Sequence, residues 1–144
     1  MKWFDGTIYN GQWSYGQPYS TGTITFATGE TYTGSWANSK RNGQGTCLIG
    51  EATYTGEWKD GFKHGFGKEL FTDAGEYVGG YKYGLKEGVG TYKWQDGSVF
   101  EGDWKNNHIH GIGTHTWSDG RIYVGQWKEG KMHGVGLYTW KDQK

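Results

Sequence analysis

Tyr54-Thr55-Gly56-Glu57-Trp58 is a five-residue stretch that returns with small changes along the whole chain. Each copy reads aromatic-x-Gly-x-aromatic, and the copies begin at Tyr9, Tyr32, Tyr54, Tyr77, Phe100 and Tyr123. Successive starts are therefore 23, 22, 23, 23 and 23 residues apart. A fixed period of this size indicates a repeat architecture, in which each unit packs on its neighbours.

The stretch alternates, and it therefore predicts a half-buried strand. A period of two places Tyr54, Gly56 and Trp58 on one face and the polar residues between them on the other. A second strand follows in each repeat, running from a Gly-x-Gly element such as residues 88–90 to an aromatic residue such as Trp94. Glycine-marked turns separate the strands, and Asp-Gly between alternating strands predicts a type I′ turn. The sequence therefore predicts a continuous antiparallel meander.

Glycine and aromatic side chains supply the packing. Glycine makes up 28 of the 144 residues and aromatic residues 18%. A bare Cα leaves room for a ring from the next strand to lie flat on the backbone. All nine Trp occupy two repeat positions, residues 13, 36, 58, 104 and 127 on first strands and residues 3, 94, 117 and 140 on second strands. We expect an all-β, single-sheet rod or trough on the order of 60 Å long.

The full pattern, Tyr-x-Gly-x-Trp-x-x-Gly-x-x-x-Gly-x-Gly, resembles the MORN (membrane occupation and recognition nexus) repeat. Residues 54–67, 77–90 and 123–136 carry it almost completely. On this basis residues 1–8 end a partial preceding repeat, and residues 9–144 form six tandem repeats. The resemblance implies an elongated, twisted antiparallel β-hairpin array whose function is non-catalytic. The functions that the resemblance implies are scaffolding, dimerisation, cytoskeletal or ciliary assembly, membrane-proximal targeting and peptide binding in an aromatic groove.

Some positions depart from the pattern. Residues other than glycine occupy five expected glycine positions: Ser20, Ser39, Ala74, Asn107 and Gln143. Asparagine tolerates the left-handed region, so Asn107 is a mild change. Ser39 is expected to strain or redirect its turn. Repeat two is one residue short, and we expect a bend or an altered turn at residues 46–53.

The sequence predicts no enzyme, metal or cofactor. His64, His110 and His133 hold one equivalent repeat position, and no local spacing supplies two adjacent ligands and a third. The Gly-x-Gly elements lack a following helix, so they are not dinucleotide loops. Cys47 has no charged helix context that would activate its thiol.

Two surfaces are candidates for binding. The first is a trough on the ring-lined face that accepts a helix or an extended peptide, with predicted contacts Trp36, Trp58, Tyr81, Trp104 and Trp127. The competing interpretation is that these rings are simply the core. The second is a stripe on the opposite face, formed by Phe66, Val89, Ile112 and Val135, for which local packing between neighbouring hairpins is the competing interpretation.

Three functions stay open at this point. We favour a scaffold or adaptor that binds a protein partner through the aromatic face or through its terminal strands. Pairing of the terminal strands would give a homodimer or an end-to-end association of copies. A membrane- or phosphoinositide-targeting module is the alternative, although acids interleave with lysines at Lys59-Asp60 and Lys128-Glu129. A choline or carbohydrate binder is the third, but such repeats carry consecutive aromatic residues at each site.

Composition limits the cellular compartment in which the protein is expected and the classes of partner that it is expected to bind. The single cysteine precludes an internal disulfide and fits a reducing compartment. A formal net charge of zero argues against nucleic acid as a partner. The sequence shows no apolar run of the length of a signal peptide or a membrane span. We therefore expect a cytoplasmic protein, with the cytoskeletal or ciliary association that the resemblance implies.

Overall fold

The computed structural model describes residues 2–140, which form one open antiparallel sheet without helices. Its twelve strands are β1 (Ile8–Ser14), β2 (Gln17–Thr25), β3 (Thr31–Ala37), β4 (Lys40–Ile49), β5 (Ala52–Lys59), β6 (Phe62–Phe71), β7 (Gly75–Lys82), β8 (Leu85–Trp94), β9 (Val99–Lys105), β10 (His108–Thr116), β11 (Ile122–Lys128) and β12 (Lys131–Thr139). Each strand pairs with the next in chain order. The predicted all-β hairpin array is therefore confirmed, while Gln143 lies outside the described residues.

Two-residue turns join the two strands of each repeat. Asp60 and Gly61 have φ values of 50° and 86°, and Asn38 and Ser39 have 51° and 62°. Positive φ at both central residues is the type I′ turn, whose twist matches that of the flanking strands. Of the two alternatives predicted for Ser39, strain is the one observed: the turn keeps its direction, and the serine carries the cost of a left-handed backbone. Asn107 takes the same region with a φ of 71°, as predicted for an asparagine.

The Asp-Gly turns between repeats have a different geometry. In the turn from Trp94 to Ser98, only Gly97 has a positive φ, of 96°. Gly97 N donates to Trp94 O at 3.1 Å, and Trp94 N donates to Ser98 O at 2.8 Å. This pattern is a type I turn followed by a left-handed bulge residue. The predicted hairpin is present, but the predicted type I′ geometry is wrong here and belongs to the other end of the hairpin.

The shortened second repeat ends in an altered turn, as expected. Ile49 pairs with Ala52, so only two residues connect β4 to β5. Gly50 has a φ of 57° at the first of these two positions. The turn is therefore shorter by the missing residue, and the hydrogen-bonded pairing of β4 with β5 continues up to it.

Rings of the first strands lie on the glycines of the next strand. A Cβ added at Gly67 would stand 2.5 Å from Cζ of Tyr54, so only glycine fits beneath this ring. The Tyr54 hydroxyl donates to Glu57 O at 2.8 Å, and Trp58 Nε1 donates to Gly45 O of the preceding repeat at 3.1 Å. The predicted packing of rings on glycine is confirmed, and the backbone also satisfies the polar atoms of the rings.

Edge-to-face contacts join these rings into one row. The Trp58 ring centroid lies 5.1 Å from that of Tyr54 in its own repeat and 5.3 Å from that of Tyr32 in the preceding one. We call the row the core ladder, and in spatial order it contains Tyr9, Trp36, Tyr32, Trp58, Tyr54, Tyr81, Tyr77, Trp104, Phe100, Trp127 and Tyr123. Each such pair contributes about 0.5–1.5 kcal/mol beyond the burial of its area.

A bulge interrupts the second strand of each hairpin, and a first-strand side chain caps it in several repeats. Gly65 has a φ of 64°, and Glu57 Oε2 accepts from the next amide, Phe66 N, at 2.6 Å. The equivalent bonds are Asp103 Oδ2 with Ile112 N at 3.1 Å and Gln126 Oε1 with Val135 N at 2.9 Å. The sequence predicted Glu57 to face solvent, which it does, but its capping role was missed.

Two neighbouring glycines test the ring contact. Gly90→Ala places a Cβ within 2.6 Å of the Cε2 and Cζ atoms of Tyr77, whereas Gly88→Ala meets no atom within 4 Å. We expect Gly90→Ala to lower the free energy of unfolding by about 3 kcal/mol. Gly88→Ala, whose φ is +81°, should cost only about 1–2 kcal/mol of backbone strain. Denaturant unfolding of both variants checks this, and equal losses would contradict the packing argument.

Candidate functional site

The five rings predicted to bind a partner lie within the core ladder. Trp36, Trp58, Tyr81, Trp104 and Trp127 are only 4–7% exposed. The four indoles donate Nε1 to a glycine carbonyl of the preceding repeat at 3.1–3.2 Å. The Tyr81 hydroxyl donates to Glu69 Oε1 at 2.7 Å. The structure therefore makes these rings core, and their direct contact with a partner stays a prediction.

A second row of rings on the same face is more accessible. It runs along the second strands from β6 to the end of the described chain and contains Phe71, Tyr92, Trp94, His115, Trp117, Tyr138 and Trp140. Successive centroids are 4.3–6.2 Å apart. Exposure rises along it, to 40% at Tyr138 and 54% at Trp140. We call it the open aromatic row.

The open aromatic row packs against the core ladder. Tyr92 lies 6.3 Å from Trp104 and His115 lies 5.9 Å from Trp127, measured between ring centroids. The sequence placed these second-strand rings on the ring-lined face but did not select them as a site. These rings stand toward the ends of the second strands, away from the glycines on which the first-strand rings lie. That position in the sequence distinguishes them from the rings of the core ladder.

Cationic side chains cover the core ladder in repeats two to four. The Arg41 guanidinium carbon lies 5.1 Å from the Trp58 ring centroid. Lys63 Nζ lies 3.0 Å from Glu69 Oε2, and Lys86 Nζ lies 5.4 Å from the centroid of Tyr77. Burial lowers the pKa of Lys86, and the nearby Glu69 carboxylate partly opposes this. The equivalent positions in repeats five and six hold Ile109 and Met132, so the cationic cover ends there.

His115 is part of the open aromatic row and holds the repeat position of Tyr92 and Tyr138. Its centroid lies 4.3 Å from that of Trp117 and 5.1 Å from that of Trp94. Burial lowers the pKa of His115, and the charge of Asp96 partly raises it, so the imidazole is neutral at neutral pH. Within residues 2–140 its buried Nδ1 has no hydrogen-bond partner.

A protein-family model described as the MORN repeat matches residues 9–31, 32–49, 54–75, 77–99, 100–120 and 123–144. The chain belongs to the MORN repeat family. MORN repeats are protein- and membrane-interaction modules, and the repeat is non-catalytic. No curated protein matches the chain. The assignment of residues 1–8 to a preceding MORN repeat stays a prediction.

The opposite face of the MORN sheet carries the second predicted surface. Phe66, Val89, Ile112 and Val135 are 61–80% exposed, one in each of four consecutive repeats. Burial between neighbouring hairpins was the competing interpretation of this stripe, and it is wrong. The first-strand side chains that cap the bulge accept from the backbone amides of Phe66, Ile112 and Val135, three of these four residues.

Two observations on the described residues concern metal binding and the single thiol. They contain no group of three or more His, Cys, Asp or Glu residues placed to hold a metal ion. Cys47 is 1% exposed, and burial raises its pKa to about 11, so the thiol stays protonated at neutral pH. Across residues 2–140 no helix is long and apolar enough to cross a membrane.

The two ring rows should respond differently to truncation. Trp104→Ala removes a core-ladder ring and its bond to Gly90 O, and we expect it to cost about 3–5 kcal/mol of unfolding free energy. Trp94→Ala removes a half-buried ring of the open aromatic row and should cost about 1–2 kcal/mol. Denaturant unfolding of the two variants measures the difference. Similar losses would show that the open aromatic row is as much a part of the core as the ladder.

Proposed function

We propose that this MORN array is a non-enzymatic scaffold that binds a protein partner along the open aromatic row. The supporting observation is that seven rings form one continuous row on one face, five of them partly buried and the last two, Tyr138 and Trp140, exposed. Contiguous exposed rings are typical of interaction sites, since they offer large contact area at little entropic cost. Trp104 and Trp127 of the core ladder touch this row, so these two of the five predicted rings enter the proposal as its floor.

The row has the dimensions of a single peptide segment. It crosses β6, β8, β10 and β12, and alternate strands of a sheet lie about 9.6 Å apart. The row therefore spans about 29 Å. A helix of about 19 residues, or an extended peptide of about nine, covers that length. We propose a helix or extended segment of a cytoplasmic partner, with a role in cytoskeletal or ciliary assembly, and the identity of the recovered partner decides that role.

Replacing two indoles of the row should release the partner. We expect the double variant Trp94→Ala and Trp117→Ala to lose most of the protein that cross-links to the tagged full chain in cells, since indoles are typical hot-spot residues. The matched control is Phe66→Ala with Ile112→Ala, which removes one ring and one aliphatic side chain from the opposite face. Quantitative mass spectrometry of the cross-linked material compares the three chains, each first shown to be folded at the temperature of the experiment.

Retention of the same partners by the indole variant would defeat this proposal, as would an equal loss in the control.

Association between copies is the second route that we propose. All nine residues of β12 are exposed, and an exposed strand edge can pair with another chain. Recovery of a differently tagged copy in the same experiment distinguishes this route from binding of a different protein.

The opposite face favours a second candidate, a membrane- or phosphoinositide-targeting module. Four exposed lysines stand at the ends of first strands in repeats three to six: Lys59, Lys82, Lys105 and Lys128. They accompany the exposed apolar stripe, and each lysine near an anionic surface contributes about 1 kcal/mol. The turn acids Asp60 and Glu129 follow two of the four and weaken this attraction.

Vesicle flotation tests the second candidate. If it is correct, the full chain co-floats with phosphoinositide-containing vesicles at physiological salt, and Phe66→Ser with Ile112→Ser abolishes this. The variant with alanine at residues 94 and 117 should float like the unmodified chain, because its changes lie on the other face. A chain that stays at the bottom of the gradient at physiological salt would end the lipid candidate.

A further inference from the structure

The two Asp-Gly turns on either side of repeat five share one backbone and differ in one side chain. In residues 94–98 and 117–121 the first amide donates to the fifth carbonyl at 2.8 Å. The glycine amide donates to the first carbonyl at 3.1 and 3.0 Å, and the aspartate accepts from the fifth amide at 2.8 and 3.1 Å. The fifth residue is Ser98 in one turn and Arg121 in the other. The side chains around the two turns can therefore be compared position by position.

Arg121 fills a slot at the second turn. Its guanidinium carbon lies 5.0 Å from the Trp117 centroid and 5.4 Å from the Trp140 centroid. Its Nε lies 2.8 Å from Asp119 Oδ2, and its Nη1 donates to the Tyr138 hydroxyl at 3.3 Å. Two indole faces, one carboxylate and one ring acceptor thus hold a guanidinium here. We call this the filled slot.

The same four positions recur 23 residues earlier around Ser98. Trp94 and Trp117 correspond to the two indoles, Asp96 to the carboxylate and His115 to the ring acceptor. Trp94, Asp96, Ser98, His115 and Trp117 line a cavity of about 220 Å³. The Nδ1 atom of His115 is the buried nitrogen that has no partner within residues 2–140. We call this cavity the open slot.

The other connections between repeats do not offer this combination within the described residues. The turn at residues 26–30 carries Glu30 in the fifth position, and that carboxylate pairs with Arg41 at 3.3 Å. The turn at residues 3–7 has Asp5 and Thr7 in the equivalent positions, but its ring acceptor position holds an aliphatic residue, Ile24. The open slot is therefore set apart by its side chains rather than by the repeat itself.

We propose that the open slot binds the guanidinium group of an arginine side chain of the protein partner. This inference rests on the proposed function, because the open slot lies within the open aromatic row. Arginine is favoured over lysine because its planar group stacks on indoles and pairs with a carboxylate through two N–H groups. The filled slot shows that this fold accommodates that arrangement without a change of backbone.

Small amides test the slot without a partner. N-acetyl-arginine amide should shift the indole N–H resonances of Trp94 and Trp117 in a saturable way. N-acetyl-citrulline amide has nearly the same shape without the charge, and we expect its affinity to be at least about fivefold lower. N-acetyl-lysine amide should also bind more weakly than the arginine amide. Equal binding of the arginine and citrulline amides, or no saturable shift, would overturn the inference.

Exchanging the two fifth residues supplies matched variants. Ser98→Arg should fill the open slot from within, as Arg121 does, and so abolish the arginine-amide shifts in a chain that is still folded. Arg121→Ser should open the second slot, so that the amide binds at two sites and the Trp140 indole signal also shifts. Undiminished binding to Ser98→Arg would overturn the inference, and so would a single site in Arg121→Ser.

The cross-linking experiment separates this inference from the proposed function. If Ser98→Arg releases the partner as alanine at residues 94 and 117 does, both are supported. If only the alanine variant releases it, the arginine inference fails while partner binding at the row stands. If neither releases it, the proposed function fails, and the amide titration alone then decides whether the slot recognises guanidinium.

Discussion

An aromatic ring that lies flat on glycine backbone is the interaction on which the whole sheet depends. Most domains bury their side chains between two layers of secondary structure, but this sheet has only one layer. Its own backbone therefore serves as the packing partner for the rings. Repeat five shows which part of the interaction is essential, because Phe100 lacks the tyrosine hydroxyl and is still fully buried against Gly113. The contact with glycine is constant, whereas the hydroxyl bond is dispensable.

The core ladder couples each repeat to its neighbour, so a change at one position requires an adjustment next to it. Repeat four has Tyr81 where other first strands have tryptophan, and a phenol cannot make the indole bond to the preceding glycine carbonyl. Its hydroxyl donates instead to Glu69, which is buried and paired with Lys63 at 3.0 Å. A buried carboxylate requires such partners. The substitution is thus balanced by two residues of the preceding repeat, as expected where stability depends on nearest-neighbour interfaces.

The sequence predicted the features that follow from local periodicity and missed those that depend on contacts across strands. Alternation identified the strands and the ring-lined face, because the side-chain period of a strand is local. It could not separate covered from open rings, since Trp104 and Trp94 share that face and differ only in what lies beside them. The type I′ assignment at Asp96-Gly97 failed for a similar reason: the Asp96 carboxylate accepts from Ser98 N at 2.8 Å, which favours a type I turn with a bulge.

The repeated residues form the surface, but specific recognition has to come from the positions at which one repeat differs from the next. Six identical repeats would present six identical slots, and a partner could then slide between registers along the sheet. The cationic cover ends after Lys86, and the fifth turn residue changes from Ser98 to Arg121 between adjacent repeats. One slot is thereby satisfied internally, while the neighbouring one keeps its indoles and carboxylate for an outside group. A single charged contact at one place along an otherwise repeating row fixes the register of whatever binds there.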